Sequence, residues 1–381
     1  MNPLPPGSTL GVFGGGQLGR MFAQAAARIG YRVHVFAPEN NPPAAHVSAY
    51  HTRAAYDNLD AVSTFGASVD AVTYEFENIP AGTVAALEKI VPIRPAPGIL
   101  AITRNRITEK SFLQKKGIPV TPFAHVQTPE ALVTAVEKLG GAAVIKTTEL
   151  GYDGKGQIMM SVTDDPQVIW SALGAPSEVI AEKRIELHGE CSILLARDAS
   201  GRTATYGPFN NEHSHHILDV TTWSAMPHDD TVARRALDIG HAVADALALE
   251  GLICVELFIA PNGEVMVNEI APRPHNSGHL TIEAFSISQF EQQARLTAGH
   301  AAVTPAPRAP AAAMANLLGD LWEHGEPDWS PVLGDPRLSL HVYGKKEARP
   351  GRKMGHVTAL ASTAHEAADI VRKARDRLRR A

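Results

Sequence analysis

Val255–His279, VELFIAPNGEVMVNEIAPRPHNSGH, is the stretch on which the reading of the chain turns. Two apolar runs, Leu252–Ala260 and Val265–Ile270, flank Pro261-Asn262-Gly263. Asn-Gly signals a hairpin because a type I′ turn needs positive φ at both central residues. With Asn262 and Gly263 in the turn, Pro261 pairs with Glu264, Ala260 with Val265, and so on down to Glu256 opposite Glu269. Two carboxylates then share one sheet face among apolar neighbours. Like charges directly opposite each other are destabilising, and a buried carboxylate costs on the order of several kcal/mol unless compensated. A divalent cation removes the conflict. Hard oxygen ligands suit magnesium, which takes substrate phosphates for the rest of its shell. The structural alternative is a one-residue slip, or a Lys or Arg partner for one of the two acids.

The bulk numbers bound the class. At 381 residues the chain has room for two or three domains. Hydrophobic content of 44% and charge of 20% describe an ordinary soluble globular protein. A net charge of −5 argues against a nucleic-acid or acidic-membrane binder. Cys191 and Cys254 lie in apolar strand-like runs and read as small buried hydrophobes in a reducing compartment. The N-terminus MNPLPPGSTL lacks a signal-peptide pattern, and no apolar run is long enough to span a membrane. The expectation is a cytoplasmic enzyme.

Upstream, Thr9–Phe13 is predicted as a strand running into Gly14-Gly15-Gly16-Gln17-Leu18-Gly19-Arg20, followed by an Ala-rich helix to Arg28 and a strand over Tyr31–Ala37. This βαβ unit satisfies G-x-G-x-x-G, with Glu39 placed 20 residues past Gly19. Glycines and a helix N-terminus suit any phosphate, so a nicotinamide cofactor and a mononucleotide substrate are both open here. A strand over Val69–Glu75 brings Glu75 to a sheet's carboxyl end, where ligands bind. Leu100–Lys116 reads as one helix with Arg106 and Lys110 four apart on a face. Thr128 and Pro129 open another. A strand ending in Lys146 leads into TTELGYDGKGQ, Thr147–Gln157, whose three glycines in six residues suit a mobile flap over phosphates. Asn210–His216, NNEHSHH, lacks zinc-site spacing and reads as a polar loop at a substrate mouth. Arg273, His275, Asn276, Ser277 and His279 suit anion binding and proton handling. Five cations lie between Lys345 and Lys353, including Arg352, and in an acidic chain they suit an anion pocket facing the Gly14–Gly19 loop.

The order of lysine strand, Gly-rich flap and paired carboxylates resembles the ATP-grasp superfamily of carboxylate–amine ligases. Three motifs, Gly14–Met21 (GGGQLGRM), Asn268–His279 (NEIAPRPHNSGH) and Arg349–His356 (RPGRKMGH), are similar to the 5-(carboxyamino)imidazole ribonucleotide synthetase family of purine biosynthesis. A formate-dependent glycinamide ribonucleotide transformylase resembles the first two but should lack the third. The resemblance implies an α/β and α+β chain: a Rossmann-like domain over 1–100, an ATP-grasp domain over 101–300 with its flap near 120–183, and a small β-rich C-terminal domain over 301–381. It implies ATP, with magnesium or substituting manganese on Glu256 and Glu269, and a homodimer using small molecules, with no nucleic acid or membrane partner.

Residue by residue, Arg106, Lys110 and Lys146 would meet ATP phosphates under the lid Gly151, Tyr152, Asp153, Gly154, Lys155, Gly156 and Gln157. Glu182, Lys183, Arg184 and Ile185 would hold adenine, Glu190 the ribose, and His213, Asn268 and Glu269 the remainder of the nucleotide. The aminoimidazole ribonucleotide would lie against Gly16, Gln17, Leu18, Glu75, Tyr152, His275, Asn276, Ser277, Lys345, Arg352 and Lys353. Asp153, Arg273, His275 and Lys353 would act on bicarbonate and the amine. The rival readings are an NAD-dependent dehydrogenase resting on Gly14–Gly19 and Glu39, and a non-catalytic nucleotide-binding regulator.

Overall fold

In a run of five wholly buried residues such as Thr9–Phe13, both alternating side-chain sets lack solvent, which requires a sheet covered on both faces. In the computed structural model, which describes residues 2–151, 154–225 and 230–378, this run is β1. It pairs in parallel with β2 (Arg32–Ala37) and β4 (Ala71–Tyr74), and β3 (Tyr50–Arg53) completes the order β3-β2-β1-β4. The Ala-rich helix covers Gln17–Arg28, and Gly30 at φ 88 turns the chain out of it.

The expected single helix over Leu100–Lys116 is two. Pro97–Thr103 ends, and Arg106–Lys115 starts afresh because the Asn105 side chain accepts the N–H groups of Ile107 and Thr108. A second sheet follows from β5 (Phe123–Val126), β6 (Ala142–Thr147), β7 (Gln157–Ser161) and β8 (Val179–Lys183), in the order β5-β8-β6-β7. The Gly-rich segment is the connection from β6 to β7. Its Tyr152 and Asp153 lie outside the described residues.

The third sheet has eight strands. They are β9 (Gly189–Arg197), β10 (Thr203–Ser214), β11 (Ile217–Ser224), β12 (Gly251–Ile259), β13 (Val265–Ala271), β14 (Ala311–Leu318), β15 (Leu338–Val342) and β16 (Lys353–Ala361), in the order β13-β12-β9-β10-β11-β14-β16-β15. The three C-terminal strands therefore extend the sheet that carries the carboxylate hairpin. Alternate residues of β9 and β12 serve two apolar clusters. Ile193, Leu195, Ile253, Val255 and Leu257 pack with Ala236, Val243 and Ala244 of the helix Asp230–Ala246. Leu194, Ala196, Leu252 and Cys254 pack on the other face with Leu280, Phe285 and Leu296. Among the described residues no helix is long and apolar enough to cross a membrane.

The hairpin β12–β13 departs from the expected register near its turn and recovers it at the acids. Ile259 pairs with Val265, Phe258 with Met266 and Leu257 with Val267, one residue off the expectation. The turn is a three-residue connection, Pro261-Asn262-Gly263, in which Gly263 at φ 77 is the left-handed residue and Asn262 is not. A β-bulge then places Asn268 as an extra residue, and Glu256 faces Glu269 after all. The consequence is visible in the clusters. Val267 lies in the helix-covered cluster, and in a regular strand Glu269, two residues on, would point the same way. The bulge turns it to the opposite face, beside Glu256.

Backbone partners for the open side of β13 come from outside the sheet. Val267 N–H donates to the Pro119 carbonyl at 2.9 Å, Ile270 N–H to Glu109 Oε2 at 3.0 Å, and Lys110 Nζ donates to the Asn268 carbonyl at 2.9 Å. An edge covered in this way cannot recruit another strand. Because the turn depends on one left-handed residue, Gly263→Ala is expected to lower the unfolding free energy by about 1 kcal/mol or more. Urea denaturation checks this; an unchanged midpoint would contradict the turn assignment.

Candidate active site

The bulged hairpin sets the centre of the site. Glu256 and Glu269 are direct cross-strand partners. Burial alone would push the Glu256 carboxyl up, but His275, His213 and Lys353 hold it at about 2. Its Oε1 lies 2.9 Å from His275 Nε2. Burial lowers the imidazole's own tendency to protonate, yet Glu256 overrides that and lifts His275 to about 10. Glu269 is held above the usual carboxylate range, by the low-polarity protein around it and then by the charge of Glu256. Its nearest cation is Arg106, at 3.7 Å, and 44% of its side chain is open to the cleft. Asn268 Oδ1, one residue before Glu269, is buried with no hydrogen-bond partner among the described residues.

The ATP-side residues assemble on the flap sheet and the helix Arg106–Lys115. Glu182 is 2% exposed and bridges Lys146, at 2.9 Å, and Lys110, at 3.4 Å. Burial would raise this carboxyl, but the two lysines hold it at about 2. Its side chain therefore organises lysines rather than facing a base, and of the adenine segment only Lys183, Arg184 and Ile185 stay clear of that duty. Lys110, expected at the phosphates, is 1% exposed and bound to Glu182 and the Asn268 carbonyl. Arg106 ties the root of the flap, donating to the carbonyls of Thr147 at 3.3 Å and Gly151 at 3.0 Å. Gly154 packs on His216, and a Cβ at Gly154 would come within 2.6 Å of the His216 Cβ. Gly156 takes φ 72 beside Thr147. Glu190 pairs with His213 at 3.2 Å, which raises the imidazole against the opposing effect of burial.

Asn210–His216 is not a loop. Asn210–Ser214 belong to β10, Ile217 starts β11, and only His215 and His216, at φ 50 and φ 64, form the turn. Strand pairing overrode the polar composition, and two histidines hold the left-handed conformations that Asn-Gly was expected to adopt elsewhere. Left-handed non-glycine residues cost on the order of 1–3 kcal/mol each and gather at functional sites.

On the other side, Glu75 closes the N-terminal loop. Its carboxylate accepts the N–H groups of Gly16 at 2.7 Å and Gly19 at 3.2 Å. A Cβ at Gly14 would meet its Cγ at 2.4 Å. The donors that the sequence offered to a phosphate are thus partly engaged by a side chain, which burial keeps above the usual carboxylate range. Gln17 and Leu18 open the helix beside it. Lys345 adds positive potential at Glu75, and Lys353 does the same at Glu256. Lys345 Nζ donates to the Lys353 carbonyl at 2.7 Å, while Arg352 Nη1 donates to the Glu347 carbonyl at 2.8 Å. Arg273 pairs with Glu77 at 2.8 Å; burial would lower it, but Glu77, Glu75, Glu269 and Glu256 raise it.

Two residues expected against the ribonucleotide are buried and hydrogen-bonded within the protein. Asn276 and Asn316 exchange amide hydrogen bonds at 3.0 Å and 2.6 Å, both buried. Ser277 is fully buried; its Oγ accepts from Ser192 at 2.7 Å and lies 2.9 Å from His275 Nδ1. Asn211 donates to Ser192 at 3.0 Å and accepts from Thr221 at 3.1 Å. The chain Thr221–Asn211–Ser192–Ser277 fixes the His275 ring. Sequence reading missed Asn316 and Ser192, which come from strands remote in the chain, and Glu109, whose carboxyl burial lifts to about 8.

The oxygen donors Glu256, Glu269 and the unpartnered Asn268 amide fit a hard divalent cation. Among the described residues no three His, Cys, Asp or Glu side chains form a metal cage of their own, so substrate oxygens would have to complete the shell.

Comparison with known proteins agrees with this arrangement. Family models match the chain in series: a ribonucleotide synthetase preATP-grasp domain over residues 8–104, an ATP-grasp domain over 111–290, and a phosphoribosylaminoimidazole carboxylase C-terminal domain over 312–370. The bifunctional purine synthesis protein purC/E of Dictyostelium discoideum is 41% identical over 93% of this chain, which spans 37% of that longer protein. The N5-carboxyaminoimidazole ribonucleotide synthase of Brucella melitensis is 40% identical over 94% of this chain and 97% of its own length. Among solved structures, the N5-carboxyaminoimidazole synthetase from Staphylococcus aureus complexed with ADP matches with a TM-score of 0.90 and 34% identity, over 98% of both chains. The N5-carboxyaminoimidazole synthase from Aspergillus clavatus, in complex with ADP and 5-aminoimidazole ribonucleotide, matches with a TM-score of 0.87 and 28% identity, over 99% of this chain and 100% of the other. With that identity sustained along nearly its whole length, the chain belongs to the N5-carboxyaminoimidazole ribonucleotide synthase family, ligases built on the ATP-grasp fold.

Proposed function

We propose that this chain carboxylates 5-aminoimidazole ribonucleotide with ATP and bicarbonate, giving N5-carboxyaminoimidazole ribonucleotide, ADP and phosphate in purine biosynthesis. The observation that carries the reading is the position of Arg273: it follows β13, the strand of Glu269, and pairs at 2.8 Å with Glu77, two residues from the Glu75 that holds the Gly loop. A positive charge joining the two half-sites suits an anionic ribonucleotide brought up to a nucleotide. Residues 1–100 and 301–381 supply the ribonucleotide side, and 101–300 the ATP side. Two buried, unpaired cysteines support a reducing compartment, and the cytoplasm is the place we assign. A homodimer is carried over from the family.

Glu256 and Glu269, with Asn268, would hold magnesium or manganese, which when bound neutralises charge on the phosphates. Lys146, kept in place by Glu182, and Arg106 act on the phosphates from the protein side. Bicarbonate oxygen attacks the γ-phosphorus, the bond to the ADP oxygen breaks, and carboxyphosphate results. Phosphoryl transfer of this kind depends on positioning and electrostatics. Arg273 receives the bicarbonate. The amine nitrogen then bonds to the carboxyl carbon, phosphate leaves, and the amine proton passes to Asp153 or His275. His275, held as an imidazolium by Glu256, can take that proton only after losing its own. The flap over Gly151–Gln157 keeps water from the intermediate.

ADP release is expected to need bicarbonate and aminoimidazole ribonucleotide together for full rate. Full rate with formate and glycinamide ribonucleotide would assign the chain to the formyl-transferring relative, and quenching of NADH fluorescence on titration would favour the dehydrogenase. Glu269→Gln should lower kcat by on the order of 10²–10³, as loss of a transition-state electrostatic partner does, and should raise the magnesium needed for half-maximal rate. An unchanged magnesium requirement in a folded variant would remove Glu269 from the metal site.

A further inference from the structure

Arg273, the cation an incoming anion has to reach, is already occupied. Its Nη2 lies 2.8 Å from Glu77 Oε2, and its Nη1 donates to the Pro274 carbonyl at 3.2 Å. Glu77 belongs to the segment leaving β4, and this segment has contacts in three directions. Two residues earlier, Glu75 holds the Gly16 and Gly19 N–H groups of the N-terminal loop. Phe76 stacks on Tyr56, with ring centroids 5.3 Å apart and planes 18° apart. Two residues later, the Ile79 carbonyl accepts from Arg104 at 3.2 Å, and Arg104 reaches Glu149 at the root of the flap, at 3.7 Å. Residues 75–79 thus touch the Gly loop and the anion-binding arginine, and reach the root of the flap through Arg104.

We propose that Glu77 is the resident counter-anion of Arg273: bicarbonate has to displace its carboxylate, and ribonucleotide engaging Glu75 moves the segment and releases the guanidinium. The inference rests on the proposed function. Four acids, Glu75, Glu77, Glu256 and Glu269, surround Arg273, and Glu77 makes the direct ion pair. Glu256 and Glu269 face each other across the hairpin and Glu75 faces the Gly loop, so Glu77 is the acid that competes with an incoming anion. Competition of this kind lowers apparent affinity by the fraction of time the site is open. It has a use. Carboxyphosphate formed before the amine is present would decay and waste ATP. Glu77 is therefore a positioning residue that makes ATP cleavage wait for the acceptor.

Glu77→Gln keeps the shape and removes the charge. KM for bicarbonate is expected to fall by about tenfold, with ADP release in the absence of ribonucleotide rising by a comparable factor. KM for ATP should stay unchanged, which a merely structural role would not secure. An unchanged or raised KM for bicarbonate, or an unchanged dependence on ribonucleotide, overturns the proposal. Should the Gln variant fail to fold, Glu77→Asp, which retracts the carboxylate by one methylene, has to show both shifts in smaller measure; their absence overturns it equally. A wild-type protein with no bicarbonate-dependent ADP release overturns the functional reading and this inference with it. A wild type that behaves as a bicarbonate ligase beside an indifferent Glu77→Gln overturns the counter-anion role alone.

Discussion

One extra residue in one strand governs this site. Without the bulge at Asn268, β13 would continue in the register of Leu257–Val267, and Glu269 would turn towards the helix-covered apolar cluster. With it, two carboxylates meet across the hairpin, and the bulge residue Asn268 carries a buried amide oxygen with no partner among the described residues. Such a gathering is unfavourable in a bare protein, because like charges repel and desolvation adds to the cost. The protein compensates in part with His275 on Glu256 and Arg106 on Glu269. The remaining imbalance is what a divalent cation with a polyphosphate would relieve.

The surrounding charges follow the same logic of paired acids and bases held ready for exchange. Glu182 secures two lysines, Glu75 fills the Gly loop, Glu77 occupies Arg273, and Glu190 holds His213. Behind them, Glu109 and Lys110 are spent on the open edge of β13, where they hold the backbone on either side of Glu269. The buried chain Thr221–Asn211–Ser192–Ser277 sets the His275 ring from the opposite side. The geometry of the site is thereby supported by residues packed behind it, as a site requiring precise placement needs.

Much of this was legible in the residues, and the failures have causes. β1 was placed at Thr9–Phe13 because a short apolar run ending in glycines leaves few other options. The meeting of Glu256 and Glu269 was expected, but by a route that does not operate: the turn is a three-residue connection, and a bulge restores the alignment. Bulges leave little trace in a single sequence, since polar Asn268 reads as one more strand residue. The break at Asn105 was hidden because its neighbours fit one amphipathic helix, while the cap is a local hydrogen bond. Asn210–Ser214 was taken for part of a loop because of its polar composition; strand pairing prevailed there and left only His215-His216 as the turn. Asn276 and Ser277 were assigned to substrate because their partners, Asn316 and Ser192, are 40 and 85 residues away in sequence.

The most direct measurement is the position of manganese, located by its anomalous scattering in crystals grown with manganese and ADP. The expected result is an ion bound between the Glu256 and Glu269 carboxylates on one face of the β12–β13 hairpin. An ion held elsewhere, or the two carboxylates on opposite faces of the hairpin with no ion between them, would contradict it.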